Sequence, residues 1–163
     1  MDEFIGRFRS LSQLPAPNLQ ITSLKDLVNR TLKLFETQWQ QLQVDLELKL
    51  PSDYSLMADA AQLEQVLINL LKSATEAVSE LKNKQITISL HQNESAQVSL
   101  DIIDNGEGIA EHVHEMIFVP FFTTKPQGSG IGLSLSRHIM VQHGGDLTYV
   151  QPDNGARFRM LFS

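Results

Sequence analysis

The chain has 163 residues, 13 Lys and Arg against 19 Asp and Glu, and no cysteine, with 42% hydrophobic and 20% charged residues; that suits one folded domain and excludes disorder or a solvating tail. A formal charge of −6 without a basic patch argues against nucleic-acid binding. The missing cysteine excludes disulfides, thiolate catalysis and Cys–zinc sites, and neither a secretory signal nor an apolar run of roughly 18 residues is present, so a soluble chain is expected.

Residues 2–13 place Phe4, Ile5, Phe8 and Leu11 at helical spacing before Leu14-Pro15-Ala16-Pro17-Asn18 breaks the pattern; this reads as the end of a longer helix and a linker. Ser23 can cap a second helix whose inner face holds Leu24, Leu27, Val28, Thr31, Leu32 and Phe35. Val44, Leu46, Leu48 and Leu50 alternate with charged residues as in a half-buried strand, and Tyr54, Leu56 and Ala58 predict a short partner strand. Asp59 starts a long helix to about Leu81, buried through Leu63, Val66, Leu67, Leu70, Leu71, Ala74 and Val78. Strands follow at 85–91 and 97–103, with period-two alternation. From Glu111 to Ser129 no period is sustained, and a loop with a short helix inside it is expected. Residues 130–143 return to a helix ended by Gly144-Gly145, and 146–150 with 156–162 form a hairpin around Asp153-Asn154-Gly155. This order predicts a mixed sheet with helices on one face.

Three segments carry chemistry. Asp104-Asn105-Gly106-Glu107-Gly108-Ile109 closes a strand, so its first carboxylate sits at the core edge, where it needs a donor such as an adenine amino group. The two glycines allow positive φ and close approach of a flat base; a plain Asp/Asn/Gly turn explains the same letters equally well. Gly128-Ser129-Gly130-Ile131-Gly132-Leu133 precedes a helix, whose free amides are a ready anion site, although such a run by itself is also an ordinary flexible loop. Asn69 and Ser73 lie four residues apart on one helix face, with Glu76 close by; they can line a metal and phosphate site or be merely solvated.

Taken in order, these segments resemble the nucleotide-binding boxes of the sensor histidine kinase catalytic domain, over about residues 55–162. Gln65-Val66-Leu67-Ile68-Asn69-Leu70-Leu71 resembles the N box, Asp104 to Ile109 the G1 box, Phe118-Val119-Pro120-Phe121-Phe122-Thr123-Thr124-Lys125 the F box, and Gly128 to Leu133 the G2 box. The F-box run looks most like the nitrogen-regulation subgroup. The resemblance implies a two-layer α/β sandwich of the Bergerat type with a flexible ATP lid. Residues 1–20 would be the end of the dimerisation and phosphoacceptor helix with its linker, and 21–163 the ATP-binding domain.

By position, the resemblance implies that Asp104 accepts from the adenine amino group, with Gly106 and Gly108 shaping the pocket and Ile109, Leu133 and Ala77 lining it. Gly128, Ser129, Gly130, Ile131 and Gly132 would cradle phosphates, Lys125 would reach them as a catalytic residue, and Phe121 or Phe122 would pack the lid root. Asn69 and Ser73 would be the magnesium ligands, Asn69 also catalytic; Ser73 departs from the Asn usual in the family, and Ala156 from Thr or Ser. Asn69 stands where the gyrase and chaperone branch has a glutamate base, and Asn cannot take a proton, which favours phosphoryl transfer. His91, His112, His114, His138 and His143 lack the acceptor context and read as surface or packing residues. The implied activity is transfer of the ATP γ-phosphoryl group to a histidine on a dimerisation domain preceding residue 1. The implied partners are ATP or ADP, that domain and, through the parent protein, a response regulator, with no nucleic acid and no membrane contact. The expected location is cytoplasmic, with a parent that an inner-membrane anchor would suit. A related ATPase switch, or a nucleotide module with an impaired magnesium site, fits the same letters.

Overall fold

A computed structural model describes residues 14–122, 132–152 and 154–163. The helix expected over 2–13 lies outside them. Strand β1 (Gln20–Ser23) runs into α1 (Leu24–Leu32), and the Ser23 hydroxyl caps the helix by accepting the Asp26 N–H. After α1 comes a short helix, α2 (Glu36–Leu42), and then β2 (Val44–Lys49), β3 (Ser55–Ala58) and α3 (Ala60–Val78), which Asp59 caps by accepting the Gln62 N–H. Strands β4 (Lys84–Gln92) and β5 (Val98–Asp104), a 3₁₀ turn (Glu111–Met116), helix α4 (Gly132–Gln142) and the hairpin strands β6 (Asp146–Val150) and β7 (Ala156–Phe162) complete the described chain.

The main sheet has the order β2-β4-β5-β7-β6, with β2 parallel to β4 and every other pair antiparallel. It is the expected mixed sheet, and its register sorts the side chains. Leu100 and Ile102 stand opposite Met160 and Phe158, next to Leu90 and Ile88, and all six are buried. Against that face pack α3, with its stripe Leu63, Val66, Leu67, Leu70, Leu71, Ala74 and Val78, and α4. At 25 cal/mol per Å², each such Leu contributes roughly 1.5–3 kcal/mol.

The opposite face is polar and held by a charge cluster. Asp101, only 1% exposed, accepts Nε–H and Nη2–H of Arg159 at 2.9 and 3.0 Å, and Arg157 stands 3.7 Å away. The bidentate pairing holds the Arg159 guanidinium above its ordinary pKa.

Two features differ from the sequence reading. The partner of 55–58 is β1, in a separate two-stranded sheet that pairs Ile21 with Met57, and not the strand at 44. Helix α2 was not expected, because Trp39 is its only buried residue and the two apolar positions Trp39 and Leu42 make no sustained period. Trp39 is tied in by polar contacts instead: its Nε1–H donates to Thr75 Oγ1 at 2.9 Å, and the Thr75 hydroxyl donates to Leu71 O at 2.7 Å.

The capping carboxylates set an acid limit on the fold. Asp53 accepts the Ser23 hydroxyl at 2.6 Å and Asp59 accepts the Asn18 N–H at 3.0 Å, and these bonds hold both groups below the ordinary carboxylate pKa. A depressed folded pKa gives stability that is complete above the unfolded value of about 3.9 and lost as pH falls through the folded value. Urea midpoints should therefore be level above about pH 5 and decline below it. The double variant Asp53→Asn, Asp59→Asn should decline less steeply, since Asn still caps; parallel curves for the two proteins would remove these groups as the cause.

Candidate functional site

Asp104 is the last residue of β5 and is 6% exposed. Its Oδ1 accepts the Gly106 N–H at 2.9 Å, an Asx turn that starts the following loop. Asn105 anchors the loop from outside: its Oδ1 accepts Gln85 N–H and its Nδ2 donates to Asn83 O, at 2.9 and 2.8 Å.

The two glycines are required by backbone contact. A Cβ on Gly106 would lie 2.6 Å from the Ala77 carbonyl oxygen at the end of α3. Gly108 has φ +82°, and a Cβ there would lie 2.5 Å from Gly155 O. The space expected to admit a flat base is taken at these two Cβ positions by main chain, and only Gly108 needs the left-handed conformation. The loop is thus wedged between the end of α3 and the β6–β7 hairpin.

One face of α3 carries Asn69, Ser73 and Ala77 at four-residue intervals, a line that ends at the residue whose carbonyl meets that loop. Asn69 joins α3 to α4: Nδ2 donates to Gly132 O at 3.3 Å and to Ser136 Oγ at 3.1 Å, while Oδ1 accepts Gln65 Nε2–H at 3.0 Å. Ser136, fully buried, was absent from the sequence reading; its signal is its position one turn after Gly132, where its hydroxyl accepts the Asn69 amide. Ile109 and Leu133 are half-buried and packed against the margin of the core. The structure therefore brings Asn69 against Gly132 and, further along the same face of α3, Ala77 against Gly106, with Ser73 between them on that face and Asp104 at the loop's root. Lys125, Gly128, Ser129, Gly130 and Ile131 lie outside the described residues.

The lid that Phe121 or Phe122 is expected to root lies outside the described residues. Phe121 has φ +70° and is exposed, and Phe122 is half-buried. Phe118 is the F-box ring that meets the core, edge-on to Phe158 at 6.5 Å with the Arg137 guanidinium 5.2 Å from its centroid. Two histidines are more than surface residues. His143 Nδ1–H donates to Ile139 O at 2.8 Å and its Nε2 accepts Asp59 N–H at 3.0 Å, while His114 bonds Ile109 O.

Among the described residues no three His, Cys, Asp or Glu side chains form a metal cluster, and no helix is long and apolar enough to cross a membrane. Asn69 and Ser73 are neutral, hard oxygen donors. They fit a magnesium ion whose charge is balanced by phosphates and do not fit a self-sufficient cation cage.

A protein-family model described as histidine kinase-, DNA gyrase B-, and HSP90-like ATPase matches residues 58–163. The signal transduction histidine-protein kinase AtoS of Escherichia coli is 40% identical over 144 residues, 87% of this chain and 23% of that protein. The C4-dicarboxylate transport sensor protein DctB of Rhizobium meliloti is 33% identical over 138 residues, 84% of this chain and 22% of that protein. The chain thus spans about a quarter of the curated relatives it matches. Among solved structures, the nucleotide-free catalytic domain of histidine kinase ThkA superposes with a TM-score of 0.78 at 34% identity, over 88% of this chain and 95% of that one. ThkA in complex with the response regulator TrrA gives a TM-score of 0.83 at 28% identity, covering 99% of this chain and 46% of that one.

Proposed function

The chain belongs to the histidine kinase-, DNA gyrase B- and HSP90-like ATPase family, and from that premise we propose that it is the ATP-binding catalytic domain of a two-component sensor histidine kinase. Residues 21–163 form the domain, and 1–20 are the end of the dimerisation helix with its linker. Asp104 carries the reading: a buried carboxylate at a strand end, beside a loop held by Ala77 and Gly155, is a rigid acceptor for an exocyclic amino group.

Asp104 selects adenine, Gly106 and Gly108 fix the loop, Ile109, Leu133, Phe122 and Ala77 border the base, and Gly128 to Gly132 with Lys125 hold the phosphates. Asn69 and Ser73 would hold the magnesium ion, which when bound would neutralise phosphate charge. Asn69 provides no base, so catalysis rests on positioning and charge stabilisation toward a histidine supplied by a dimerisation domain. A response regulator takes the phosphoryl group from that histidine. The likeness to the nitrogen-regulation subgroup rests on the Pro120 to Lys125 run and the short gap from Thr124 to Gly128.

A second reading has its own observation. Ser73 is a shorter ligand than Asn and the Asn69 oxygen is engaged by Gln65, which favours a nucleotide module with weak magnesium dependence. Calorimetric titration of ATP and ADP, with and without magnesium, into this chain and Ser73→Asn separates the two. The kinase reading expects binding by both proteins, with magnesium enhancing ATP affinity several-fold more in Ser73→Asn, roughly the effect of one added oxygen ligand. A folded chain that takes neither nucleotide sinks both readings.

A further inference from the structure

We propose that His114 is a positioning residue for the base-binding loop, holding Ile109 from behind so that the pocket is formed before nucleotide arrives. This rests on the ATP reading above.

The 3₁₀ turn that follows the loop brings His114 back onto it. Its Nε2 lies 2.7 Å from Ile109 O. A carbonyl only accepts, so Nε2 carries the proton and donates. The bond fixes the plane of the Ile109–Ala110 peptide, and with it the direction in which the Ile109 side chain leaves the loop. Ala110 O is engaged as well, accepting Val113 N–H at 3.0 Å.

The imidazole is itself braced. It lies 4.7 Å from the Tyr149 ring, tilted by 57°; Tyr149 lies 5.4 Å from Phe158, and Phe158 meets Phe118 edge-on. Tyr149 and Phe158 are paired across β6 and β7, so the stack stands on the sheet and moves with it. The Tyr149 hydroxyl, buried and without a partner among the described residues, sits 3.8 Å from where a Gly108 Cβ would be. Gly108 and Ile109 are consecutive, and each is backed by this one cluster. A loop held in its bound shape spares the ordering cost of association, and loosening it weakens binding and blurs the choice of base.

The test uses the whole 163-residue chain. His114→Phe keeps a ring on Tyr149 and removes the donor; His114→Gln keeps an N–H donor and removes the ring. ATP and GTP are titrated calorimetrically into wild type and both variants, with melting curves alongside. The expected result is a loss of ATP affinity of about 3–10-fold in His114→Phe, the size of one hydrogen bond, with a smaller ATP/GTP ratio and a nearly unchanged melting temperature. His114→Gln should recover most of the affinity. Long-range nitrogen–proton spectra of the wild-type imidazole give a second readout that needs no variant: His114 should appear as the Nε2–H form. Wild-type affinity and base preference in His114→Phe, or an Nδ1–H imidazole, overturns the proposal while leaving ATP binding intact. Equal loss in both variants, tracking melting temperature, overturns it in favour of plain packing. No binding by the folded wild type removes the ATP reading and this proposal together.

Discussion

Replacing Asp104 by asparagine should weaken ATP binding by about 1–3 kcal/mol, the cost of leaving a buried polar group without its partner, or roughly 5- to 150-fold in Kd. The substitution separates two jobs of one side chain. Its Oδ1 accepts Gly106 N–H, and an asparagine oxygen can do the same, so the turn survives. An amide NH₂ in place of the second carboxylate oxygen presents a donor where the adenine amino group needs an acceptor. Thermal stability should change little while affinity falls, as measured by melting and by calorimetry on the same samples. Unchanged affinity removes Asp104 from the pocket; a large loss of stability assigns it to the fold.

The reasons why parts of the molecule were legible in the sequence are physical. Helix α3 and strands β4 and β5 declare themselves, since the period of the apolar residues in each is the period of its geometry, even in β5, where the polar face is buried as well. Strand β1 does not. It is four residues long, and its outward Ile21, 81% exposed, breaks the burial pattern that would mark it. The strand at 55–58 is visible but its partner is not, because pairing with β1 is decided by a long-range register that no local pattern encodes. The same division runs through the site. Asp104, the glycines and Asn69 are visible as letters in order. That Asn69 spans to Gly132 and Ser136, more than 60 residues on, and that His114 stands on Tyr149, are products of the closed sheet. Gly106 and Gly108 were found for a reason that proves incomplete: they make room for Ala77 and Gly155 main chain.

That contact makes Gly155 the position where fold and site should fail together. Gly155 has φ +80°, and a Cβ there would collide with the Asp104 carbonyl oxygen and reach within 3.0 Å of Asn105 Cα. Its own oxygen occupies the place of a Gly108 Cβ. The hairpin turn therefore lies directly on the strand end that presents Asp104, one residue before Ala156 pairs with it. Gly155→Ala adds a left-handed penalty of roughly 1–2 kcal/mol to a collision relieved only by lifting β7 or displacing Asp104. A total loss of about 2–4 kcal/mol is expected in urea unfolding, together with weaker ATP binding in the protein that remains folded. Gly144 is the internal reference. It also has φ +80°, but a Cβ there meets only the Ser163 hydroxyl at 3.5 Å, an ordinary contact. Gly144→Ala should therefore show the backbone penalty alone and keep nucleotide affinity, so the difference between the two variants measures the contact between turn and strand end. Equal destabilisation by both would mean that Gly155 is a turn residue and nothing more.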